Sequence, residues 1–220
     1  MTDPKEIVRT GYDEIAERFD SWREEIAGSP ELGWTEDLLA RLRERPRLLE
    51  LGSGGARGPT RMLAEAGSLT GVDISIAQVR AARRRCPEAT FVHADMTEIR
   101  FEPGSFDAVI SVYAFNHIPR GDLPPLLGRC AVWLRPGGYL LASFGCSGDE
   151  GVQDDWLGVP MFFASYAEEE TLALIGKSGF TIERNELVPI VEPEEGEARF
   201  LWILARKPPS RGGGLRSGRE

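Results

Sequence analysis

The spacing of hydrophobic residues changes after about residue 45. Before that point, apolar side chains recur every three or four residues, which predicts two helices separated by a break at residues 28–30. Beyond it, short apolar runs alternate with helical stretches. The predicted strands cover residues 47–51, 69–73, 90–95, 106–112 and 138–144. Strands that alternate with helices predict an α/β fold with a doubly wound, mostly parallel sheet.

The end of the chain has a different pattern. After a helix predicted over residues 168–179, two β-rich segments at 180–189 and 199–207 are joined by a short polar link. A link this short, without a helix, predicts an antiparallel hairpin. We therefore expect a single domain over residues 1–207, with a helical cap over 1–45 and a flexible basic tail over 208–220.

Composition and charge exclude several classes of protein. With 220 residues, of which 41% are hydrophobic and 28% charged, the chain resembles a soluble globular domain without membrane spans. Its three cysteines form no C-x-x-C pair, which favours the reducing cytoplasm and argues against a metal site. Residues 1–205 carry 21 basic and 34 acidic side chains, so we expect no nucleic-acid partner. The oligomeric state stays open.

Candidate chemistry clusters where the predicted strands end. The glycine turn at residues 52–55 follows the first strand and precedes a helix, at the sheet edge where ligands of such folds bind. Arg57 stands where a dinucleotide fingerprint has its third glycine, which argues against NAD. Glu50, Asp73 and Asp95 lie at or near three successive strand ends. Three acids there favour a nucleoside ligand with cationic groups.

Several segments resemble the successive motifs of class I S-adenosylmethionine-dependent methyltransferases. They are residues 48–54 (LLELGSG), 71–75 (GVDIS), 93–96 (HADM), 106–109 (FDAV) and 134–140 (LRPGGYL). Residues 12–20 also resemble the opening helix of the small-molecule members. The resemblance covers roughly residues 8–207 and implies a seven-stranded, Rossmann-like sheet with an antiparallel last strand. Ala56 replaces a glycine usual in the family, so we expect tighter packing there.

The same resemblance implies S-adenosylmethionine as the cofactor and a small molecule as the methyl acceptor. Glu50 would lie near the cofactor's amino group, Asp73 would hold the ribose, and Asp95 and Met96 would flank the adenine. The full predicted cofactor set is Glu50, Gly52, Ser53, Gly54, Asp73, Ile74, Asp95, Met96, Ser111 and Val112.

Catalytic and substrate residues are predicted on the other side of the cofactor. His117 is the first candidate for a general base, with packing as its alternative, and Tyr12 either closes over the cofactor or packs. The apolar connection 145–167 is expected to form a substrate loop or lid, or else to pack against the N-terminal helices. The predicted substrate residues are Tyr113, Asn116, Trp156, Met161, Phe162 and Tyr166.

The sequence thus predicts a cytoplasmic methyltransferase that acts on a small molecule by in-line displacement. Two alternatives remain: a non-catalytic S-adenosylmethionine-binding protein and, with less support, a nicotinamide-dependent oxidoreductase. The acceptor atom is left open among oxygen, nitrogen, sulfur and carbon.

Overall fold

Nine strands and six α-helices make up the part of the chain that the computed structural model describes, residues 3–193 and 196–210. The strands are β1 Arg47–Leu51, β2 Ser68–Asp73, β3 Thr90–His93, β4 Phe106–Ser111, β5 Leu134–Gly145, β6 Glu150–Trp156, β7 Val159–Ala164, β8 Thr181–Glu192 and β9 Gly196–Arg206. The helices are α1 Pro4–Glu25, α2 Glu31–Leu39, α3 Pro59–Ala66, α4 Ile76–Arg85, α5 Leu123–Trp133 and α6 Glu168–Lys177, with a 3₁₀ turn at Phe115–His117.

Seven of the strands form one sheet in the order β3-β2-β1-β4-β5-β9-β8. Strands β1 to β5 pair in parallel, whereas β9 is antiparallel to both β5 and β8. This confirms the predicted doubly wound sheet and its antiparallel last strand. Strand order reverses between β1 and β4, so a crevice opens at their carboxyl ends.

The central strands are buried on both faces, as their continuous apolar runs predict. On one face Leu49 and Val109 pack with α5, and on the other Leu48 and Ile110 pack with Trp202. Truncating such a fully buried leucine to alanine costs about 2–5 kcal/mol. This core fixes the carboxyl ends of the strands and hence the site above them.

Residues 150–164 fold differently from the predicted loop or lid. Strands β6 and β7 pair as a separate antiparallel hairpin, with Gly151 opposite Phe163. Its apolar side chains, including Met161 and Phe162, pack against Val8 and Ile15 of α1. The alternative of packing against the N-terminal helices therefore describes much of this segment.

Helix α1 lies along the carboxyl edge of the sheet and is held there by polar contacts. Asp13 Oδ1 accepts hydrogen bonds from Ser75 Oγ at 2.7 Å and from the Ala77 amide at 3.0 Å, at the start of α4. Asp20 forms ion pairs with Arg57 and Arg85. The helix therefore covers the crevice instead of extending into solvent.

Three other expectations concern the C-terminal tail, membrane-spanning helices and metal sites. Of the predicted basic tail, residues 211–220 lie outside the described residues. No helix in the described ranges is long and apolar enough to cross a membrane. Within those same ranges, no three His, Cys, Asp or Glu side chains are grouped so that they could hold a metal ion.

Candidate functional site

The glycine turn after β1 needs glycine at its first position for a steric reason. Gly52 has φ +78°, and a Cβ placed on it would lie 2.2 Å from the Cβ of Ala114. Ala56, at the position usually held by glycine, is fully buried with φ +56°. A left-handed conformation costs a non-glycine residue about 1–2 kcal/mol. The turn is therefore closely packed and mildly strained, in line with the expected tighter packing.

Glu50 carries a buried carboxylate that the protein only half satisfies. Its Oε1 accepts a hydrogen bond from Thr60 Oγ1 at 2.9 Å. Its Oε2 is buried without a hydrogen-bond partner among the described residues. Burial raises the pKa of Glu50 from 4.5 to about 8. A cationic donor from a ligand would pair with this oxygen and favour the ionised carboxylate, so the site suits a ligand ammonium.

Asp73 ends β2, and Asp95 lies two residues beyond the end of β3. Asp73 accepts hydrogen bonds from the amides of Gly54 at 2.8 Å and Ser75 at 2.9 Å, and burial raises its pKa to about 6. Asp95 accepts from the amide of Thr97 at 2.7 Å. A carboxylate oxygen has more than one acceptor site, so both side chains can still accept hydrogen bonds from a ligand.

These acids line one continuous cavity, which we call the inner cavity. It contains about 1050 Å³ of space, counting its mouth, and is bounded by residues from α1 and from the ends of β1 to β4. The predicted cofactor residues on its wall are Glu50, Gly52, Ser53, Gly54, Asp73, Ile74, Asp95, Met96 and Val112. Ser111 is the exception, since it is fully buried and its Oγ donates to the Leu51 carbonyl at 3.0 Å.

A second cavity, the outer cavity, adjoins the first. It contains about 1850 Å³, again counting its mouth, and lies between α1, the β6–β7 hairpin and the ends of β8 and β9. Five residues line both cavities: Tyr12, Phe19, Arg23, Tyr113 and His117. Two cavities with a shared wall can hold two ligands side by side.

Tyr12 and His117 form a hydrogen-bonded pair in that shared wall. His117 Nδ1 lies 2.8 Å from the Phe162 carbonyl, which can only accept, so Nδ1 carries the ring proton. Nε2 is then the acceptor for the Tyr12 hydroxyl at 2.8 Å. Burial lowers the pKa of His117 to about 4 and raises that of Tyr12, so both are neutral near pH 7. Neither ring nitrogen is free to take a proton from a substrate in this arrangement.

The predicted substrate residues separate into two groups. Tyr113, Asn116 and Trp156 line the outer cavity. Met161 and Phe162 instead lie in the packing between the hairpin and α1, and line neither cavity.

Tyr166 also lies away from both cavities. Its hydroxyl donates to the Arg120 carbonyl at 2.7 Å, and the Arg120 guanidinium lies 4.4 Å from the centre of its ring. These contacts join Tyr166, just before α6, to the loop that carries Arg120. The prediction of Met161, Phe162 and Tyr166 as substrate residues is therefore corrected, since none of them lines either cavity.

Sequence reasoning missed several residues of the inner cavity. Lys5, Phe19, Arg23 and Gln78 line it. Both amide atoms of Gln78 are buried without a partner within the described residues. On α1, Phe19 lies seven residues after Tyr12 and Arg23 lies four residues after Phe19, so the helical periodicity could have identified them.

Comparisons with known proteins agree with this geometry. A family model described as "Methyltransferase domain" matches residues 48–138. The chain is 30% identical over 195 residues to the 27-O-demethylrifamycin SV methyltransferase of Amycolatopsis mediterranei, covering 79% of this chain and 66% of that protein. It is 27% identical over 145 residues to the demethylmenaquinone methyltransferase of Beutenbergia cavernae, covering 64% of this chain and 58% of that protein. The chain thus spans about three fifths of the length of the curated relatives it matches.

A solved structure shares the fold over nearly the whole chain. The 1,6-didemethyltoxoflavin-N1-methyltransferase of Burkholderia thailandensis, with bound 1,6-didemethyltoxoflavin and S-adenosylhomocysteine, matches with a TM-score of 0.71 at 22% identity. The match covers 94% of this chain and 92% of that one. The motifs, the strand order and these relatives agree. The chain belongs to the class I S-adenosylmethionine-dependent methyltransferases.

Proposed function

We propose that this protein transfers a methyl group from S-adenosylmethionine to a small molecule. The observation that carries the proposal is the pair of adjoining cavities that share Tyr12, Tyr113 and His117. In-line transfer needs donor and acceptor to meet without a protein group between them, and the residues that line both cavities mark the place where the two cavities adjoin and the ligands would meet. The relatives, which are named as a demethylmenaquinone methyltransferase and a 27-O-demethylrifamycin SV methyltransferase, support the same class of reaction.

The inner cavity fits the cofactor in its polar groups. The unpartnered Glu50 Oε2 would accept from the ammonium of the methionine part, and Asp73 from the ribose hydroxyls. Asp95 and Met96 would flank the adenine. Bound there, the cofactor supplies a methyl group made electrophilic by a positively charged sulfur.

The protein's own contribution is alignment and the exclusion of water. Helix α1 covers the cavities, and the neutral Tyr12–His117 pair fixes the wall between them. We propose positioning roles for both side chains, because His117 has both ring nitrogens occupied and a lowered pKa. Such a mechanism needs no general base in the shared wall.

The alternatives fit the molecule less well. A non-catalytic protein that only binds the cofactor needs no acceptor cavity, so the outer cavity favours an enzyme. A nicotinamide enzyme is disfavoured by Arg57 at the third glycine position. We also propose a cytoplasmic location, supported by the three free cysteines, and no nucleic-acid partner, supported by the excess of acidic residues.

A thermal melt tests the proposal directly. S-adenosylhomocysteine at about 100 times its dissociation constant should add about 2.7 kcal/mol, which raises the melting temperature by roughly 5–10 °C for a chain of this size. NAD and NADP serve as controls and should give no shift. A shift only with a nicotinamide cofactor, or none with any of the three, would contradict the proposed function.

A further inference from the structure

We propose that the methyl acceptor is an alkylamine carried on an aromatic ring system, which binds in the outer cavity and is methylated on nitrogen. The inference rests on the proposed methyltransferase function and adds the acceptor's chemical class. Three features of the outer cavity support it: an aromatic wall, unpaired acids at the mouth, and the absence of a free base in the shared wall.

The wall formed by α1 and the hairpin presents several aromatic rings to the outer cavity. Trp156 is at its centre, with ring centroids 5.4 Å from Trp22, 5.9 Å from Tyr12 and 5.5 Å from Phe163. Such rings stack on a flat ligand, and their faces attract a cation. This wall therefore suits an aromatic ligand that carries or acquires positive charge.

The charges around the outer cavity favour the same ligand. Asp149, Glu150 and Glu168 line it, and none forms an ion pair within 4.0 Å in residues 3–193 or 196–210. The two arginines on its lining are already neutralised, Arg23 by an ion pair to Glu31 at 2.6 Å and Arg199 by one to Glu197 at 3.0 Å. The unbalanced charge at the mouth is negative, so it attracts amines and repels carboxylates and phosphates.

Asn116 adds a hydrogen-bonding requirement. Its Oδ1 is buried without a donor in the part of the chain described, and the residue lines the outer cavity beside His117. A buried carbonyl oxygen without a partner is destabilising, and a hydrogen bond from a ligand N–H would remove that cost. An amine supplies this donor together with the charge that the mouth favours.

The reaction itself separates an amine from a hydroxyl acceptor. A hydroxyl must give up its proton as it takes the methyl group, whereas an ammonium drawn to the acidic mouth can release its proton to water beforehand and then react through its lone pair, with no base in the transfer step. In the shared wall, His117 donates to the Phe162 carbonyl and accepts from Tyr12, so no nitrogen is free for a hydroxyl proton. The low pKa of His117, about 4, agrees with this.

The balance of the step follows from these groups. The bound ammonium first releases a proton to water, which frees the nitrogen lone pair. That lone pair forms the new N–C bond, the C–S bond breaks with its electron pair left on sulfur, and the positive charge passes from sulfur to nitrogen. The methylated ammonium then releases a proton to water at the acidic mouth. Aromatic faces and nearby carboxylates stabilise the charge that develops on nitrogen.

Three probes with the same indole ring test the inference: tryptamine, its alcohol tryptophol and its acid indole-3-acetate. Calorimetry with the S-adenosylhomocysteine complex should show tryptamine binding at least about tenfold more tightly than indole-3-acetate. With S-adenosylmethionine, mass spectrometry should find N-methylated tryptamine and unmodified tryptophol. Glu168→Gln should weaken tryptamine binding about threefold or more without changing S-adenosylhomocysteine affinity.

Asp154→Asn is the matched control, because Asp154 lies on the same hairpin as Trp156 but does not line the outer cavity. It should leave tryptamine affinity unchanged. The inference is overturned if the cofactor product binds but tryptamine does not, if indole-3-acetate binds as tightly, or if tryptophol alone is methylated. Failure of S-adenosylhomocysteine itself to bind would instead remove the proposed function.

Discussion

Glu50 should make the protein less stable as pH rises, and Glu50→Gln should remove that effect. An acid whose pKa is raised on folding holds its proton longer in the folded than in the unfolded state, so the free energy of unfolding falls between the two pKa values. For Glu50 that window runs from about 4.5 to about 8. At about 1.36 kcal/mol per unit, the loss between about pH 5 and about pH 8 is on the order of 3 kcal/mol.

The glutamine has its own cost, because its amide N–H₂ would be buried where Glu50 Oε2 has no partner among the described side chains. That cost is about 1–3 kcal/mol at either pH. The variant should therefore be slightly less stable than the parent near pH 5 and more stable near pH 8. In the same variant, affinity for S-adenosylhomocysteine should fall by about 1–3 kcal/mol, since the ammonium loses its carboxylate.

Urea unfolding curves of both proteins between about pH 5 and about pH 8 measure the difference directly. Asp73 also has a raised pKa and its charge contributes to the raised pKa of Glu50, but Asp73 is present in both proteins, so most of its own titration appears in both curves. Glu65→Gln, an exposed substitution on α3, is the control and should leave the pH dependence unchanged. Parallel curves for Glu50→Gln and the parent at every pH would refute the reasoning.

Three further predictions concern neighbouring contacts. Asp73→Ala should weaken S-adenosylhomocysteine binding by about 1–3 kcal/mol by calorimetry, and an unchanged affinity would mean that the ribose lies elsewhere. Tyr12→Phe removes the hydrogen bond to His117 and should lower the free energy of unfolding by about 0.5–1.5 kcal/mol, with a larger effect on KM than on kcat. Asp13→Ala removes two hydrogen bonds to the start of α4, so both proteolysis within α1 and release of S-adenosylhomocysteine should be faster than in the parent. Rates equal to those of the parent would argue against α1 as the cover of the cavities.

Most of the main sheet could be predicted because its strands are apolar runs punctuated by glycine and acidic residues. Strand β1 occupies residues 47–51 as predicted, and the final hairpin lies where its polar link indicated. The sequence did not predict the β6–β7 hairpin, because residues 150–155 of β6 are exposed and mostly polar. They show no alternation of apolar and polar side chains that would indicate a strand. Its stability comes from contact with α1, a partner far away in sequence.

The candidate site also has a part that the sequence could predict and a part that it could not. Residues fixed by local motifs, such as Glu50 and Asp73, lie where the strand ends predicted them. The outer cavity depends on which side chains of α1, the hairpin and β9 meet in space, and this cannot be read from spacing within any one segment. Trp156 and Phe162 show the difference, because both lie on the β6–β7 hairpin and yet, of the two, only Trp156 lines the outer cavity.

The packing of α1 on β7 also sets the order of events during synthesis. Helix α1 ends at Glu25, whereas its apolar partners on β7 extend to Ala164, so about 140 residues separate them. At about 5–20 residues per second, a ribosome needs roughly 7–30 s to span that distance. For that interval the apolar face of α1, with Val8 and Ile15, has none of its hairpin partners. A nascent chain that ends before Ala164 therefore exposes the apolar face of the amphipathic helix α1. Chaperones that bind exposed apolar helices should engage α1 until the β6–β7 hairpin has been synthesised.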